Sequence, residues 1–250
     1  MIFLDAHVHI YPEYDLDRLF ECFCARAAKL APADSQLAMA VMLREFQPTL
    51  ASLFEGRPQG AWRVKGPAGP AALVVTDGGR EVTLLAARQV AAAERVEALG
   101  FFGEAPVPDG LPYAETLARL RDTGYLPVLA WGLGKWLGKR AKVVGAALAS
   151  ANTLSAPLLV GDCALRPAFW PTPAPFRAAR AKGLRIVFGS DPLPRPGDER
   201  AAGRYATLID ASLDPAAPAA SLLETLRSPA IPLRAVGHRY GLLETIQHLS

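Results

Sequence analysis

Residues 2–9, Ile2-Phe3-Leu4-Asp5-Ala6-His7-Val8-His9, open on three apolar side chains and then alternate polar with apolar ones. The apolar run reads as a short buried strand. Alternate residues of a strand point to one side, so a strand continuing through position 9 brings Asp5, His7 and His9 onto one face. Two imidazoles and a carboxylate placed together suit zinc or another divalent ion. The competing reading is a solvated turn that happens to hold two histidines. Their place directly after a hydrophobic strand favours the metal, because the strand ends of an α/β barrel form its active rim. Histidine is otherwise scarce: the chain has four, the others being His238 and His248, which excludes a site built on many imidazoles.

Outward from this stretch, residues 15–31 repeat apolar side chains at helical intervals behind a candidate N-cap, Asp15, and Pro32 stops them. Residues 36–43 read as a strand, with a helix near 47–55. Residues 61–88 read as a local antiparallel excursion, with a hairpin signal at Asp77-Gly78-Gly79. Helix then alternates with strand: helix 113–124, strand 126–130, helix 139–151, strand 157–160, helix 176–182, strand 184–188. Helical stretches follow near 200–211 and 219–228, then a strand near 233–236 and a terminal helix from 240. Such alternation implies parallel pairing with right-handed crossovers. No Gly-x-Gly-x-x-Gly follows the first strand, and Gly132-Leu133-Gly134-Lys135 lacks the spacing of a phosphate-binding loop. A closed barrel is therefore expected over a nucleotide-binding open sheet: one α/β domain over 1–250, a TIM-like, distorted β/α barrel with a small hairpin insertion at 61–88.

The chain has 250 residues, 51% hydrophobic and 20% charged, with 27 Lys and Arg against 24 Asp and Glu, a formal charge of +3. So small a surplus argues against nucleic acid as a partner, and Lys139-Arg140-Ala141-Lys142 is too short for a nucleic-acid patch. Three cysteines, Cys22, Cys24 and Cys163, fit a reducing compartment better than a disulfide framework. The start lacks the basic and long apolar regions of a signal peptide, and no apolar run approaches the ~18 residues of a membrane span. The expectation is a soluble, cytoplasmic protein with no membrane partner.

Three more carboxylates sit where strands end. Asp191 follows Ile186-Val187-Phe188 in the segment LRIVFGSDPLP, where Gly189 permits a tight exit. Asp162, with Arg166 behind it, follows Leu158-Leu159-Val160. Glu104 follows Ala98-Leu99-Gly100-Phe101-Phe102. Each is also a residue type that caps helices or holds turns. Trp131, Trp136, Phe169 and Trp170 could line a pocket, and Lys135, Lys139, Arg140 and Arg166 could meet an anionic group.

Together, the His-x-His after the first strand and the Gly189-Ser190-Asp191 motif resemble the metal-dependent hydrolases of the amidohydrolase and polymerase-and-histidinol-phosphatase (PHP) superfamilies. The resemblance implies metal ligation by His7, His9 and Asp191, with Glu104 as a further ligand candidate; strand alternation adds Asp5 to the ligands, and Asp191 or Asp162, at strand ends, would be the catalytic general base. It also shows departures: Trp131 stands where the PHP pattern has a metal-binding histidine, and Leu193 where one often follows the aspartate. The expected protein is a divalent-metal hydrolase, with zinc ahead of manganese or iron, cleaving a C–N, C–O or phosphoester bond. Its expected partner is a small-molecule substrate, an anionic one among the options, and assembly into a homo-oligomer stays open. The alternative is a non-catalytic barrel whose degenerate metal site serves a binding or scaffold role.

Overall fold

Met1 precedes a strand, β1 (Ile2–Val8), that is buried along its whole length, as its position at the seam of a curled sheet requires. The computed structural model describes residues 1–43, 48–58, 60–103, 105–132, 134–151 and 157–249. After β1 come α1 (Leu16–Leu30), β2 (Gln36–Leu43), β3 (Arg63–Pro67), β4 (Ala72–Thr76), β5 (Glu81–Ala91), β6 (Glu97–Phe101), α2 (Tyr113–Asp122) and β7 (Leu126–Ala130). The second half supplies α3 (Lys139–Ser150), β8 (Leu159–Cys163), α4 (Ala174–Ala181), β9 (Ile186–Gly189), β10 (Tyr205–Ile209), α5 (Pro218–Arg227), β11 (Leu233–Gly237) and α6 (Leu242–Leu249).

The strands hydrogen-bond in the order β11-β10-β1-β2-β5-β6-β7-β8-β9, with β4 also paired to β5 and β3 to β4. β1, β2 and β5 are parallel, as are β7, β8 and β9, while β6 runs against both of its neighbours. β10 is antiparallel to β1. The result is a mixed, nearly closed barrel flanked by helices, with an inserted antiparallel hairpin. The expected all-parallel alternation thus fails at β6 and β10.

Closure is made by individual hydrogen bonds where β9 meets β1 and β10. The Asp191 amide donates to the His7 carbonyl at 2.8 Å and the Ser190 amide to Asp5 Oδ1 at 2.8 Å. Buried Thr207 of β10 accepts from the Phe188 amide at 2.8 Å and donates to the Phe188 carbonyl at 3.1 Å. Gly189 makes the approach possible: a Cβ there would lie 2.4 Å from the His7 nitrogen.

Two faces follow from this wall. Leu4, Ala40, Leu85, Phe101, Val128 and Val187 fill the interior, joined by Leu222 and Leu226 of α5. Outside, α1 lays Leu19, Phe20 and Phe23 over β1, β2 and β5, while α2, α3 and α4 cover β6 to β9. Asp15 caps α1 by accepting from the Arg18 amide at 3.1 Å. Its apolar stripe then decides the fate of the helix, since burial of one such aromatic side chain contributes about 2–3 kcal/mol.

Two elements differ from the expectation. The helical reading of 200–211 gives way to a 3-10 turn, Asp198–Ala201, and to β10. Tyr205–Ile209 is buried on every residue, so it lacks the alternation that distinguishes a strand from a helix. Of the helix expected near 47–55, a single 3-10 turn at Ala51–Leu53 stands, and residues 44–47 lie outside the described residues. The Asp77-Gly78-Gly79 turn joins β4 to β5, with Asp77 Oδ1 accepting from the Gly79 and Arg80 amides at 2.9 and 2.7 Å. No described helix is long and apolar enough to cross a membrane.

Candidate metal centre

Along β1, Asp5 lies opposite Met39 and Val8 opposite Val41, so β1 spends three steps where β2 spends two. One extra residue is a β-bulge, and it reverses the alternation beyond it. Phe3 and Val8 fall in the outer cluster, under α1, and Leu4 and Ala6 in the interior one. Past the bulge, His7 and His9 turn into the barrel while Asp5 stays outside. The three side chains therefore do not converge as strict alternation would have them.

Inside, His7 Nε2 and His9 Nε2 lie 3.2 Å apart, and both reach Gln89 Oε1, at 2.9 and 3.1 Å. Asp191 Oδ1 completes the group at 3.4 Å from His7 Nε2 and 3.8 Å from His9 Nε2. His7, His9 and Asp191 form a cluster whose ligand atoms all lie within 4.8 Å of one another. The imidazoles are buried, and Asp191, 17% exposed, is the member that meets solvent. Tyr11 stacks on His9 with ring centroids 5.5 Å apart, and the Tyr14 hydroxyl donates to the Leu193 carbonyl at 2.5 Å. These contacts fix the loop after β1 against the loop that carries Asp191.

The donor set fits a divalent ion. A neutral imidazole carries one N–H, so two facing Nε2 atoms cannot satisfy each other, a carboxylate oxygen and an amide oxygen at once. A cation at their centre satisfies all of them, and two imidazoles with oxygen ligands are a familiar set for zinc. Asp191 also holds a left-handed backbone, φ 52°, pinned by its amide's bond to the His7 carbonyl. Strain of about 1–3 kcal/mol at such a residue is the kind that surrounding structure maintains at functional sites.

The other carboxylates lie elsewhere. Asp5 is fully buried and accepts from the His7 amide at 3.3 Å, the Ser190 amide and hydroxyl at 2.8 and 2.6 Å, and the Gly203 amide at 2.7 Å. Burial pushes its carboxyl up to about 6 against the pull of those donors. Asp5 thus positions Ser190, the neighbour of Asp191, instead of facing the cluster. Asp162 points out of the barrel, where Arg166 donates to both its oxygens, at 2.7 and 2.5 Å. Glu104 lies outside the described residues. Lys135 pairs with Glu97, so it and Arg166 are both engaged within the protein. His238 is exposed, and its amide donates to the Arg204 carbonyl at 3.0 Å. Burial holds the Cys163 thiol well above its ordinary value.

Gln89 is the residue that sequence reasoning missed. Its signal was present: Leu85, Ala87 and Gln89 share one face of β5, and a polar side chain ending a buried apolar face follows the logic that singled out His7.

No protein-family model matches the chain, and no curated protein matches it in sequence. Solved structures do resemble it. PsfC from Pseudomonas syringae PB-5123 superposes with a TM-score of 0.56 at 15% identity, covering 99% of this chain and 95% of that one. The lesion-specific endonuclease PfuEndoQ from Pyrococcus furiosus gives 0.53 at 12% identity, covering 93% of this chain and 57% of that one. Endonuclease Q with a 27-mer duplex bearing an abasic lesion at its active site gives 0.54 at 11% identity, covering 98% and 66%. At these identities the likeness speaks for the fold. It also overturns one expectation: a protein sharing this fold is solved in complex with a DNA duplex, so a net charge of +3 is no ground for excluding nucleic acid.

Proposed function

We propose that the protein is a metal-dependent hydrolase of the amidohydrolase or PHP type that cleaves a phosphoester bond. The observation that carries this reading is the convergence of His7 Nε2, His9 Nε2, Gln89 Oε1 and Asp191 Oδ1 inside the rim of the barrel. His7, His9 and Asp191 would hold one divalent ion, zinc ahead of manganese or iron, with Gln89 as a neutral fourth donor. Such an ion supplies Lewis-acid polarisation of the phosphoryl oxygen and acidifies water. The two endonucleases among the similar structures favour a phosphoester over the C–N and C–O alternatives.

The chain's own groups have distinct tasks. Burial of both imidazoles keeps water from competing for the ligand atoms, and Asp191, the partly exposed member, would take a proton from an entering water. Asp162 has no part in proton transfer, because Arg166 occupies both of its oxygens. Asp5 and Ser190 orient the turn on which Asp191 sits.

Metal content after chelator-free purification, measured beside hydrolysis of bis(p-nitrophenyl) phosphate, tests the reading. Near-stoichiometric zinc, manganese or iron is expected in the wild type and is lost, together with turnover, in His7→Ala and Asp191→Ala. Absence of metal under replete conditions, with all three proteins equally folded, sinks it. Stoichiometric metal without turnover on phosphoester, amide or ester substrates would instead identify a binding barrel.

A further inference from the structure

Net charge conceals a sharp asymmetry. Between Asp122 and Asp191 the chain carries nine Lys and Arg and a single carboxylate, Asp162, although the whole chain is only +3. Asp162 is buried against Arg166 and so offers nothing to the surface. The remainder of the protein is therefore net negative, and one side of it strongly positive.

The fold gathers that charge. α3 and α4 lie side by side over β7 to β9, and the Lys182 ammonium donates to the Ala149 carbonyl at the end of α3 at 3.2 Å. Lys139 and Lys142 of α3 are exposed, as are Arg177 and Arg180 of α4 and Lys182 beyond it. Four residues, Lys139-Arg140-Ala141-Lys142, are a weak patch by themselves. Packed beside α4 they become half of a basic surface two helices wide, with no carboxylate on either helix.

At the rim of the barrel, where β7 and β8 hand over to these helices, lies a cavity of about 260 Å³ lined by Trp131, Trp136, Leu137, Trp170 and Pro173. Three of the chain's four tryptophans are in its wall, Trp131 and Trp136 buried and Trp170 half-buried, so Trp170 is the most accessible of them. Trp136 is fixed by its indole N–H donating to the Ala130 carbonyl at 2.9 Å and by packing against Phe176, centroids 5.0 Å apart. Leu137, in the cavity wall, and Phe169, next in the chain to Trp170 of the wall, are 55% and 59% exposed. Exposed apolar side chains beside a strongly charged surface mark an interaction site, and they suit a partner that is both anionic and flat-faced.

We propose that this rim cavity and the α3–α4 face bind single-stranded nucleic acid, with an unpaired base against the tryptophan-lined cavity and the phosphates along Lys139, Lys142, Arg177 and Arg180. Aromatic platforms flanked by Lys and Arg are what a strand requires when its bases are free to stack. A duplex keeps its bases stacked on one another and cannot present one to a cavity without unpairing it. The surface uses no ligand of the metal centre, so it goes beyond the hydrolase reading and stands or falls separately.

The test is titration of the protein in EDTA with fluorescein-labelled dT oligonucleotide, followed by anisotropy and by quenching of tryptophan emission, at several salt concentrations. Binding with quenching is expected, and His7→Ala should bind as the wild type does. Lys142→Glu/Arg177→Glu, two exposed positions whose reversal leaves the core intact, should weaken binding about tenfold or more. It should also lower the log–log salt slope by about 0.7 for each phosphate no longer neutralised. Phe169→Ala should weaken binding and leave the slope unchanged. Any of three results overturns the proposal: no binding at low salt, equal binding by the charge-reversed variant, or heparin competing as well as dT while Phe169→Ala changes nothing. A duplex of the same length binding tighter than dT, without quenching, would do so as well.

Discussion

The Asp5 carboxyl is enclosed by four donors, yet burial still pushes it up to about 6 from its ordinary 3.8. Between about pH 4 and 6 the folded protein then holds this proton more tightly than the unfolded chain, so stability is full below that window and falls as pH rises through it. At about 1.36 kcal/mol per unit the loss approaches about 3 kcal/mol. Asp5→Asn removes the titration. Urea unfolding of both proteins from pH 4 to 7 should show the wild type losing stability relative to the variant across that window, and a constant difference would refute the assignment. The variant should be the less stable of the two throughout, by about 1–3 kcal/mol for each donor that its amide leaves unmatched. At this same scale the limit of sequence reading is plain. His7 and His9 were legible because imidazoles after a buried strand are rare. Asp5 was misplaced because one extra residue in β1 reverses the face, and nothing in Asp5-Ala6-His7 announces a bulge.

At the scale of elements, the join of β9 to β1 rests on a missing side chain. A Cβ on Gly189 would come 2.4 Å from the His7 nitrogen and 2.6 Å from its Cβ, distances at which backbone must move. Gly189→Ala should therefore cost about 1–3 kcal/mol or more in denaturant unfolding. It should also open the distance between His7 and Asp191 and so reduce metal uptake in the folded protein. Unchanged stability and full metal uptake would show that the seam is looser than these distances imply. The strand before Gly189 was readable from its apolar run and the glycine's exit, and so were α1, α3, β7 and β11 from periodicity and stops. β10 was not: a fully buried strand carries the same continuous apolar run as a buried helix, and one of its pairing partners, β1, lies at the far end of the chain. The reversal of β6 was hidden likewise, because pairing direction is decided by the neighbours a strand meets and not by its own residues.

Over the whole molecule, the ligand atoms come from β1 and the residue just past it, from β5 and from the loop after β9, parts of the chain widely separated in sequence. An unfolded chain cannot hold His7, Gln89 and Asp191 around one ion, so any ion bound there stabilises the closed barrel and draws β9 toward β1. At a free ion concentration about 100-fold above Kd the gain is about 2.7 kcal/mol. Adding zinc to chelator-treated protein should therefore raise the thermal midpoint by several degrees. That rise should vanish in His7→Ala and in Asp191→Ala and persist in Arg180→Ala, which alters only the basic face. Because the two regions share no side chain, dT oligonucleotide should raise the midpoint in His7→Ala even where zinc no longer does. A zinc-dependent rise of equal size in both ligand variants would place the ion elsewhere and remove the ground for a catalytic barrel rim.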